Sequence, residues 1–395
     1  MEEDIMRKWC IVEILNGKSG SYILTDYGEI FLYSELFQGK KLLNVVGNGS
    51  WRAYITMIEY ENKLIFPPYL GKDIAIYDLE EKRLQYIPIS LKHEPKEQKF
   101  NLYKKAVVWK EKAFFIGDMD SSLISLDMKT YKIEKCTKWQ SEFKKQFGES
   151  TGTHTHTDLC VVDHCFWISL QKANFIMEYD MEKNVSSFYR IGDRKIHYNT
   201  ICFDGKEFWL SGDKQFLCKW NKKENVIEFF EKFPDDFEIN LENGARTELF
   251  SCSILWNQSI YYAPLSANMY IRVDLKSQEI KQIEKRGKTG LSMVLKSVAD
   301  GKMLYGEEMD CERSEYFKNC LINKDNSLIK MSILFTQEEE IQFLERIISL
   351  KMITREKGSQ SLQYLCSDGT SEREENRISD NQNTEGREIY YAIKG

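Results

Sequence analysis

The chain is poor in proline and has neither a basic cluster nor a long apolar run. Only 6 of its 395 residues are proline, and its 55 basic and 61 acidic residues give a net charge of −6. A nucleic-acid-binding protein normally carries a basic stripe, so the charge argues against a nucleic-acid partner. No uncharged apolar run is long enough to span a membrane, and the first residues show no signal-peptide pattern. We therefore expect a cytoplasmic protein without a membrane span.

Motifs of common catalytic and redox sites are missing as well. The 10 cysteines include no C-x-x-C pair, which favours reduced, mostly buried thiols over a disulfide framework. No G-x-S-x-G nucleophile motif is present. The stretch "NGKSG" at 16–20 lacks the first glycine of a phosphate-binding loop, so we interpret it as a hairpin turn. These absences make an enzyme the less favoured interpretation.

Aromatic residues, by contrast, are frequent at 13% of the chain, and they favour β-structure because rings pack well on pleated, half-buried surfaces. One pattern recurs along the sequence: an apolar strand ends at Ser, Asp or Asn, and a short polar turn leads to another strand. The turn residues are Ser34, Asp78, Asp127, Asp180, Asn221, Asp274 and Asn323. Their spacings of 44, 49, 53, 41, 53 and 49 residues are typical of propeller blades.

A second hairpin precedes each of these turns. Its turns have the sequences LNGKS, YENKL, WKEKA, VDHCF, FDGKE, WNQSI and ADGKM. Two hairpins per period make four antiparallel strands, which is the composition of one propeller blade. In period and strand pattern the chain resembles the β-propeller superfold, especially its kelch-like, loosely repeating members. The resemblance implies an all-β fold, a seven-bladed β-propeller of four-stranded antiparallel blades over residues 1–335, and says little about activity.

The sequence changes character after residue 335. Thr336 and Glu339 have capping-box spacing, and apolar residues recur on one helical face, so we predict an amphipathic helix over 336–356 that packs on the propeller. Residues 357–387 are polar and predict a flexible linker. Residues 388–395 regain apolar side chains and predict a docking C-terminal segment.

Three of the five histidines, His154, His156 and His164, lie close together in the sequence. In the blade alignment His164 occupies a hairpin turn, whereas His154 and His156 lie at the other end of the same innermost strand. Because extended chain rises about 3.3 Å per residue, the strand separates His156 from His164 by roughly 26 Å. We therefore predict that they lie on opposite faces of the propeller and do not share one metal site.

Equivalent positions at the start of the innermost strands form two columns. The first is mostly aromatic or imidazole: Trp9, Tyr54, Tyr103, His156, His197, Phe250 and Met293. The second, two residues earlier, is mostly charged or polar: Arg7, Arg52, Asn101, His154, Lys195, Glu248 and Leu291. Both columns are expected where loops converge on the central channel. They predict a ligand-binding site made of Arg52, Tyr54, Tyr103, His154, His156, Lys195, His197 and Glu248. The alternative, that the rings only pack between blades, stays open.

The predicted residue types indicate which ligands the channel mouth would bind. Rings stack on sugars or bases, and Arg, Lys and Asn donate hydrogen bonds to hydroxyl or anionic groups. We therefore favour a non-catalytic propeller that binds a small polar or anionic ligand, a glycan or a protein partner. An alternative is a scaffold whose C-terminal helix and tail recruit a partner.

The histidines keep an enzymatic alternative open. A lyase or hydrolase would use His156 or His197 as general base, with Arg52 or Lys195 stabilising a developing anion. No cofactor is expected. A divalent metal ion is an open alternative, and its ligands would be His154, His156, Asp158 and His197.

Overall fold

The chain forms a β-propeller of four-stranded antiparallel blades, which confirms this prediction. The computed structural model describes residues 11–34, 39–50, 52–89, 102–117, 123–137, 139–148, 155–171, 173–193, 195–239, 248–285, 290–298, 302–309, 319–322 and 328–331. These residues contain seven four-stranded antiparallel sheets. Side chains are described in the first six sheets, and the last one is described by its backbone. The helix, linker and docking segment predicted over 336–356, 357–387 and 388–395 lie outside the described residues.

Each sheet is formed by four strands that are consecutive along the chain. The first three sheets contain β1 Ile11–Gly17, β2 Gly20–Thr25, β3 Glu29–Ser34 and β4 Gly39–Val45; β5 Ile58–Tyr60, β6 Lys63–Phe66, β7 Asp73–Asp78 and β8 Arg83–Pro88; and β9 Tyr103–Trp109, β10 Lys112–Gly117, β11 Leu123–Asp127 and β12 Ile133–Thr137. The fourth and fifth contain β13 Thr155–Val162, β14 Cys165–Leu170, β15 Phe175–Asp180 and β16 Val185–Arg190; and β17 Tyr198–Phe203, β18 Phe208–Gly212, β19 Leu217–Asn221 and β20 Val226–Phe230. The last two contain β21 Phe250–Trp256, β22 Ser259–Pro264, β23 Met269–Asp274 and β24 Ile280–Lys285; and β25 Gly290–Val298, β26 Lys302–Met309, β27 Asn319–Ile322 and β28 Leu328–Met331.

The repeated turn residues have the role that the sequence predicts for them. Six of them, from Ser34 to Asp274, are the last residue of the third strand in their sheet. In the sixth sheet the Asp274 Oδ1 accepts hydrogen bonds from the backbone N–H groups of Lys276 and Ser277, at 3.0 and 2.7 Å. An acidic or amide side chain that binds its own downstream backbone in this way stabilises the turn into the fourth strand.

The hydrophobic core lies between the blades. The second strand of most sheets is buried along nearly its whole length, as in Cys165–Leu170 and Ser259–Pro264. A strand that is buried on both faces has a continuous apolar sequence. Here the two faces of the second strand pack against the two neighbouring blades. The fourth strands, such as Val185–Arg190, are only partly buried and form the outer rim.

A short helix, α1 Trp139–Phe147, connects the third and fourth sheets. The strand pattern of the sequence does not predict it. Trp139 and Phe143 are buried in the core between these two blades, and the Phe143 ring lies 5.0 Å from that of Phe175 and 5.2 Å from that of Phe188. In the part of the chain that the structure describes, no helix is both long enough and apolar enough to cross a membrane.

The first strands of the sheets lie next to one another around a central channel. Strand β1 lies beside β5 and β25, and β21 lies beside β17 and β25, so the first and last sheets are neighbours. The free edge of each first strand faces the channel, because only its other edge is paired within the sheet. Backbone N–H and C=O groups along these edges need partners other than a strand.

Candidate functional site

A cavity of about 360 Å³ lies in the central channel. Residues of the first strand of six sheets, or of the segment just before it, line the cavity, and they come mostly from the middle and the end of these strands. Most of the lining is apolar, and its polar part includes Glu13, Thr56, Lys105, Asp158 and Ser253. A cavity with an apolar wall and a few convergent polar groups is the usual form of a small-molecule site.

An ion pair between Glu13 and Lys105 crosses the channel. The Lys105 Nζ lies 3.1 Å from the Glu13 Oε2, and the two side chains are 22% and 5% exposed. Glu13 belongs to the first sheet and Lys105 to the third, so the pair connects blades that are not neighbours. The hydroxyl of Thr56, from the blade between them, donates a further hydrogen bond to the same oxygen at 2.9 Å. Three blades therefore meet at one carboxylate.

Asp158 connects three further blades. Its Oδ2 accepts hydrogen bonds from the backbone N–H of Ile201 at 3.0 Å, the backbone N–H of Ser253 at 3.1 Å and the Ser253 hydroxyl at 2.7 Å. Both N–H groups belong to first strands, whose free edge has no strand partner. The carboxylate therefore satisfies buried donors that would otherwise be left unpaired at a high energetic cost.

The charges of the cavity stabilise one another. Burial by itself would lower the pKa of Lys105, but the charge of Glu13 and its hydrogen bond offset this, and the net pKa is raised. Lys105 is therefore a cation at neutral pH. The thiols of Cys160 and Cys202 also line the cavity, and burial raises the pKa of both. These two thiols remain protonated at neutral pH and lack the thiolate character of a nucleophile.

Two of the predicted ring residues lie in the core. Tyr54 is 3% exposed and Tyr103 is 0% exposed. The Tyr54 hydroxyl donates to the backbone oxygen of Asp73 at 2.9 Å, and the Tyr103 ring lies 5.9 Å from that of Phe115. Both side chains pack between blades, which corresponds to the packing alternative for these two positions.

The structure brings His197 and Glu248 to the same end of the fifth and sixth blades. The His197 Nδ1 lies 3.2 Å from the Asp213 Oδ2, and the imidazole is 38% exposed. The residue after Glu248 donates its backbone N–H to the oxygen of Gly212, beside Asp213, at 2.9 Å. Gly212 packs so closely against the His197 backbone that a β-carbon would lie 2.0 Å from its oxygen. Lys195 is exposed two residues before His197.

The remaining predicted residues are only partly defined. Arg52 is half-buried with a φ of 47°, and its backbone oxygen accepts from the N–H of Leu70 at 3.2 Å. His154 lies outside the described residues. For His156 the backbone alone is described, near the start of β13, whereas His164 follows the end of that strand. The two histidines therefore lie at opposite ends of the strand, as predicted.

The two predicted metal ligands with described side chains, Asp158 and His197, both have protein partners. Within the described residues, the one group whose His, Cys or carboxylate ligand atoms come close enough for an ion is His164, Cys165 and Asp180. The sequence predicts a turn at His164, and its pattern alone does not bring this residue together with Asp180.

Sequence reasoning missed Glu13, Lys105 and Ser253 and considered Asp158 only as a metal ligand. The signal for the first two was a charged residue inside an apolar strand, as in "IVEIL" and "YKKAVVW". A charge at such a position indicates either a partner across the channel or a ligand, because an unpaired buried charge is expensive.

Comparison with known proteins identifies the fold. No family model matches the sequence, and no curated protein matches it either. Among solved structures, the chain is similar to a catalytically inactive virginiamycin B lyase from Staphylococcus aureus crystallised with quinupristin, with a TM-score of 0.58 and 10% identity over 78% of this chain and 95% of that chain.

Two other solved structures are similar to a lesser degree. The extracellular domain of a putative one-component system from B. thetaiotaomicron gives a TM-score of 0.53 at 11% identity over 78% of this chain, which spans only 39% of that longer structure. The computationally designed Ika8 protein gives 0.52 at 8% identity, over 84% of this chain and 91% of that chain. At such low identity the likeness shows the propeller fold alone.

Proposed function

We propose that this chain is a non-catalytic binding protein whose central cavity holds a small polar ligand. The observation that carries the proposal is the convergence of Glu13, Thr56, Lys105, Asp158 and Ser253 on one cavity. Its volume of about 360 Å³ is in the range of small-molecule sites. Part of the proposal is that the seven sheets form one closed ring; the contact of β25 with β1 supports it. The cytoplasmic location expected from the sequence stays a prediction.

The charges favour a neutral or cationic ligand. Glu13 and Asp158 carry two negative charges, and Lys105 carries one positive charge that already pairs with Glu13. Among the described lining residues the charge is therefore net negative, which disfavours an anion. A polyol or sugar would exchange hydrogen bonds with the carboxylates and hydroxyls, and an amine would add a charge-assisted hydrogen bond. The anionic ligand expected from Arg52 and Lys195 is not supported by the charges of this cavity.

Ligand-observed NMR with three probes tests this proposal. Glucose serves as the neutral probe, putrescine as the cation and succinate as the anion. We expect saturation transfer to glucose or putrescine and none to succinate. Glu13→Gln keeps a hydrogen-bond acceptor but removes the charge, so it should weaken putrescine binding about tenfold and change glucose binding little.

Glu29→Gln is the matched control. Glu29 belongs to the same sheet and is 3% exposed, but it does not line the cavity. Its substitution should leave both probes unaffected. Binding of succinate, absence of binding by all three probes, or equal loss in the two variants would contradict the proposed ligand class.

A second candidate function is a lyase or hydrolase at His197. The specific observation is the contact between the His197 Nδ1 and the Asp213 Oδ2 at 3.2 Å, because a carboxylate beside one ring nitrogen orients a histidine that acts as general base. The similar structure of a virginiamycin B lyase supports testing quinupristin as substrate. Chromatography would detect its conversion by wild-type protein and its loss in His197→Ala. His164→Ala, at the other face, should convert it at the wild-type rate. No conversion by wild-type protein, or equal conversion by His197→Ala, would reject this activity.

A further inference from the structure

The hairpin turn that contains His164 is held beside Asp180 by a feature that recurs in several blades. The backbone N–H of Met181 donates to the oxygen of His164 at 3.0 Å. The same bond joins the two turns in three other blades, in the pairs Leu79 with Asn62, Met128 with Glu111 and Leu275 with Gln258. In these four blades the backbone at the position of His164 is therefore held next to the Asp that ends the third strand.

In the fourth blade this position and the next one carry two metal-ligating side chains. The potential ligand atoms of His164, Cys165 and Asp180 all lie within 4.8 Å of one another. The Asp180 Oδ1 accepts hydrogen bonds from the backbone N–H groups of Glu182 and Lys183 at 3.0 and 2.9 Å. These bonds fix the carboxylate so that its Oδ2 faces His164. The hydrogen-bonded turn that five of the described blades share thus also orients a ligand.

The distance between imidazole and carboxylate fits a shared ion better than a hydrogen bond. The His164 Nε2 lies 3.4 Å from the Asp180 Oδ2, which is long for an N–H···O hydrogen bond. A tetrahedral zinc ion with bonds of about 2.0–2.1 Å to both atoms would hold them about 3.3 Å apart. The combination of imidazole, thiolate and carboxylate is the donor set of zinc sites.

We propose that His164, Cys165 and Asp180 bind a zinc ion whose fourth position is open to the adjacent groove. The groove has a volume of about 600 Å³ and is lined by, among others, Trp167, Lys206 and Lys222. The fourth ligand would be water or an anionic group held near these lysines. Four other described blades also have a two-residue turn at this place. The residues at the positions of His164 and Cys165 are Ser19 and Gly20, Asn62 and Lys63, Glu111 and Lys112, and Gln258 and Ser259. None of these combines an imidazole with a thiol.

Two groups must respond when the ion binds. The Lys183 Nζ lies 3.1 Å from the Asp180 Oδ2, but this side chain is 74% exposed, and such a surface ion pair is easily given up. Burial, together with the charges of Glu178 and Asp180, raises the pKa of the Cys165 thiol to about 11. The ion therefore displaces the thiol proton, which passes to solvent.

Cobalt(II) substitution tests the site without any assumption about activity. We expect the full chain to bind one Co²⁺ with the visible absorption of a tetrahedral ion and a thiolate-to-cobalt charge-transfer band. Zinc should displace the cobalt and remove both signals. The charge-transfer band should disappear in Cys165→Ser and remain in Cys136→Ser, which changes a free thiol on β12 of the third blade.

His164→Gln provides a second, independent measurement. Since even residues that only orient a metal ligand change affinity 10- to 100-fold, removing this ligand should weaken cobalt binding at least about tenfold. The far-ultraviolet circular dichroism of all variants without metal should match that of the wild type, because His164 lies in a surface turn and Cys165 is the first residue of the strand that follows it. Absence of the charge-transfer band in wild-type protein, its persistence in Cys165→Ser, or unchanged affinity in His164→Gln would overturn the proposal.

Discussion

Removing Lys105 should destabilise the propeller strongly, because the buried Glu13 carboxylate would lose a counter-ion that lies 3.1 Å away. At 3.1 Å and an effective dielectric constant of about 20, the pair attracts by about 5 kcal/mol before the cost of desolvation. Breaking one side of a buried pair costs about 3–5 kcal/mol. Glu13 would retain the Thr56 hydroxyl, and the cavity admits water, so we expect Lys105→Met to lower the free energy of unfolding by about 3 kcal/mol.

Urea denaturation followed by tryptophan fluorescence would measure this loss. Lys112→Met is the control, because its pair with Glu134 is 3.5 Å long and half-exposed, and it should have no resolvable effect. The double variant Glu13→Gln with Lys105→Met removes both charges and should be more stable than Lys105→Met alone. A loss below about 1 kcal/mol in Lys105→Met, or simple additivity in the double variant, would refute the reasoning.

The same pair predicts a dependence on alkaline pH. Because the pKa of Lys105 is raised in the folded protein, the stability that it contributes is fully present below the unfolded pKa of about 10.4. That stability is lost as the pH rises through the folded pKa. The difference between wild type and Lys105→Met should therefore be constant near neutral pH and shrink above about pH 10.5.

Three further predictions concern stability. Phe143→Ala should lower the free energy of unfolding in urea by about 3–5 kcal/mol, because the ring is 0% exposed. Lys144→Ala, on the exposed side of the same helix, should be nearly neutral. Equal effects of the two substitutions would refute the packing of α1. Asp158→Ala should lower the free energy of unfolding by about 2–5 kcal/mol, since two strand-edge N–H groups and the Ser253 hydroxyl lose their acceptor. Asp158→Asn should lower it less. A loss under about 1 kcal/mol in Asp158→Ala would show that water replaces the carboxylate. Hydrogen bonds from the backbone N–H and the hydroxyl of Ser277 hold the pKa of Asp274 below its usual value. The stabilisation from this carboxylate is therefore present above about pH 4 and is lost as the pH falls through the folded pKa. The melting temperatures of wild type and Asp274→Asn should converge in acid, and divergence would contradict this.

The blade pattern could be predicted because it depends on local chemistry that repeats. Asp and Asn at the end of the third strand bind the backbone of the following turn, and this short-range interaction needs no information about the rest of the fold. The helix α1 had no such signal. Its Trp139 and Phe143 become buried only because the third and fourth blades leave space between them, and one sequence does not reveal that space.

The start of the innermost strands was harder to predict, because these strands differ in length and contain bulges. Tyr103 and Phe250 pair with the last residue of the second strand in their sheets. In the fourth and fifth sheets the residues that do so are Thr155 and Tyr198, each one position away from the histidine that a constant spacing selects. A bulge adds a residue on one strand and changes the side to which the preceding residues point. In the fourth sheet the irregularity in β13 adds one residue more than those in β9 and β21. In the fifth sheet Asn221 follows the last residue of the second strand by nine positions, whereas Asp127 and Asp274 follow theirs by ten. Counting back a constant number of residues from the turn residue therefore gives the wrong residue in these two sheets.

The corrected register also explains where the polar residues of the channel lie. Glu13 and Lys105 both pair with the next-to-last residue of the second strand, immediately after the irregular position. They are therefore equivalent residues of two non-neighbouring blades, and their opposite charges meet across the channel because of that equivalence. The aromatic rings of Tyr54, Tyr103 and Phe250 near the strand starts pack between blades. The position of Glu13 and Lys105, by contrast, faces the other first strands. In this propeller, a charged residue at that position of an apolar first strand is consequently a better indicator of the channel cavity than an aromatic or imidazole residue at the start of the strand.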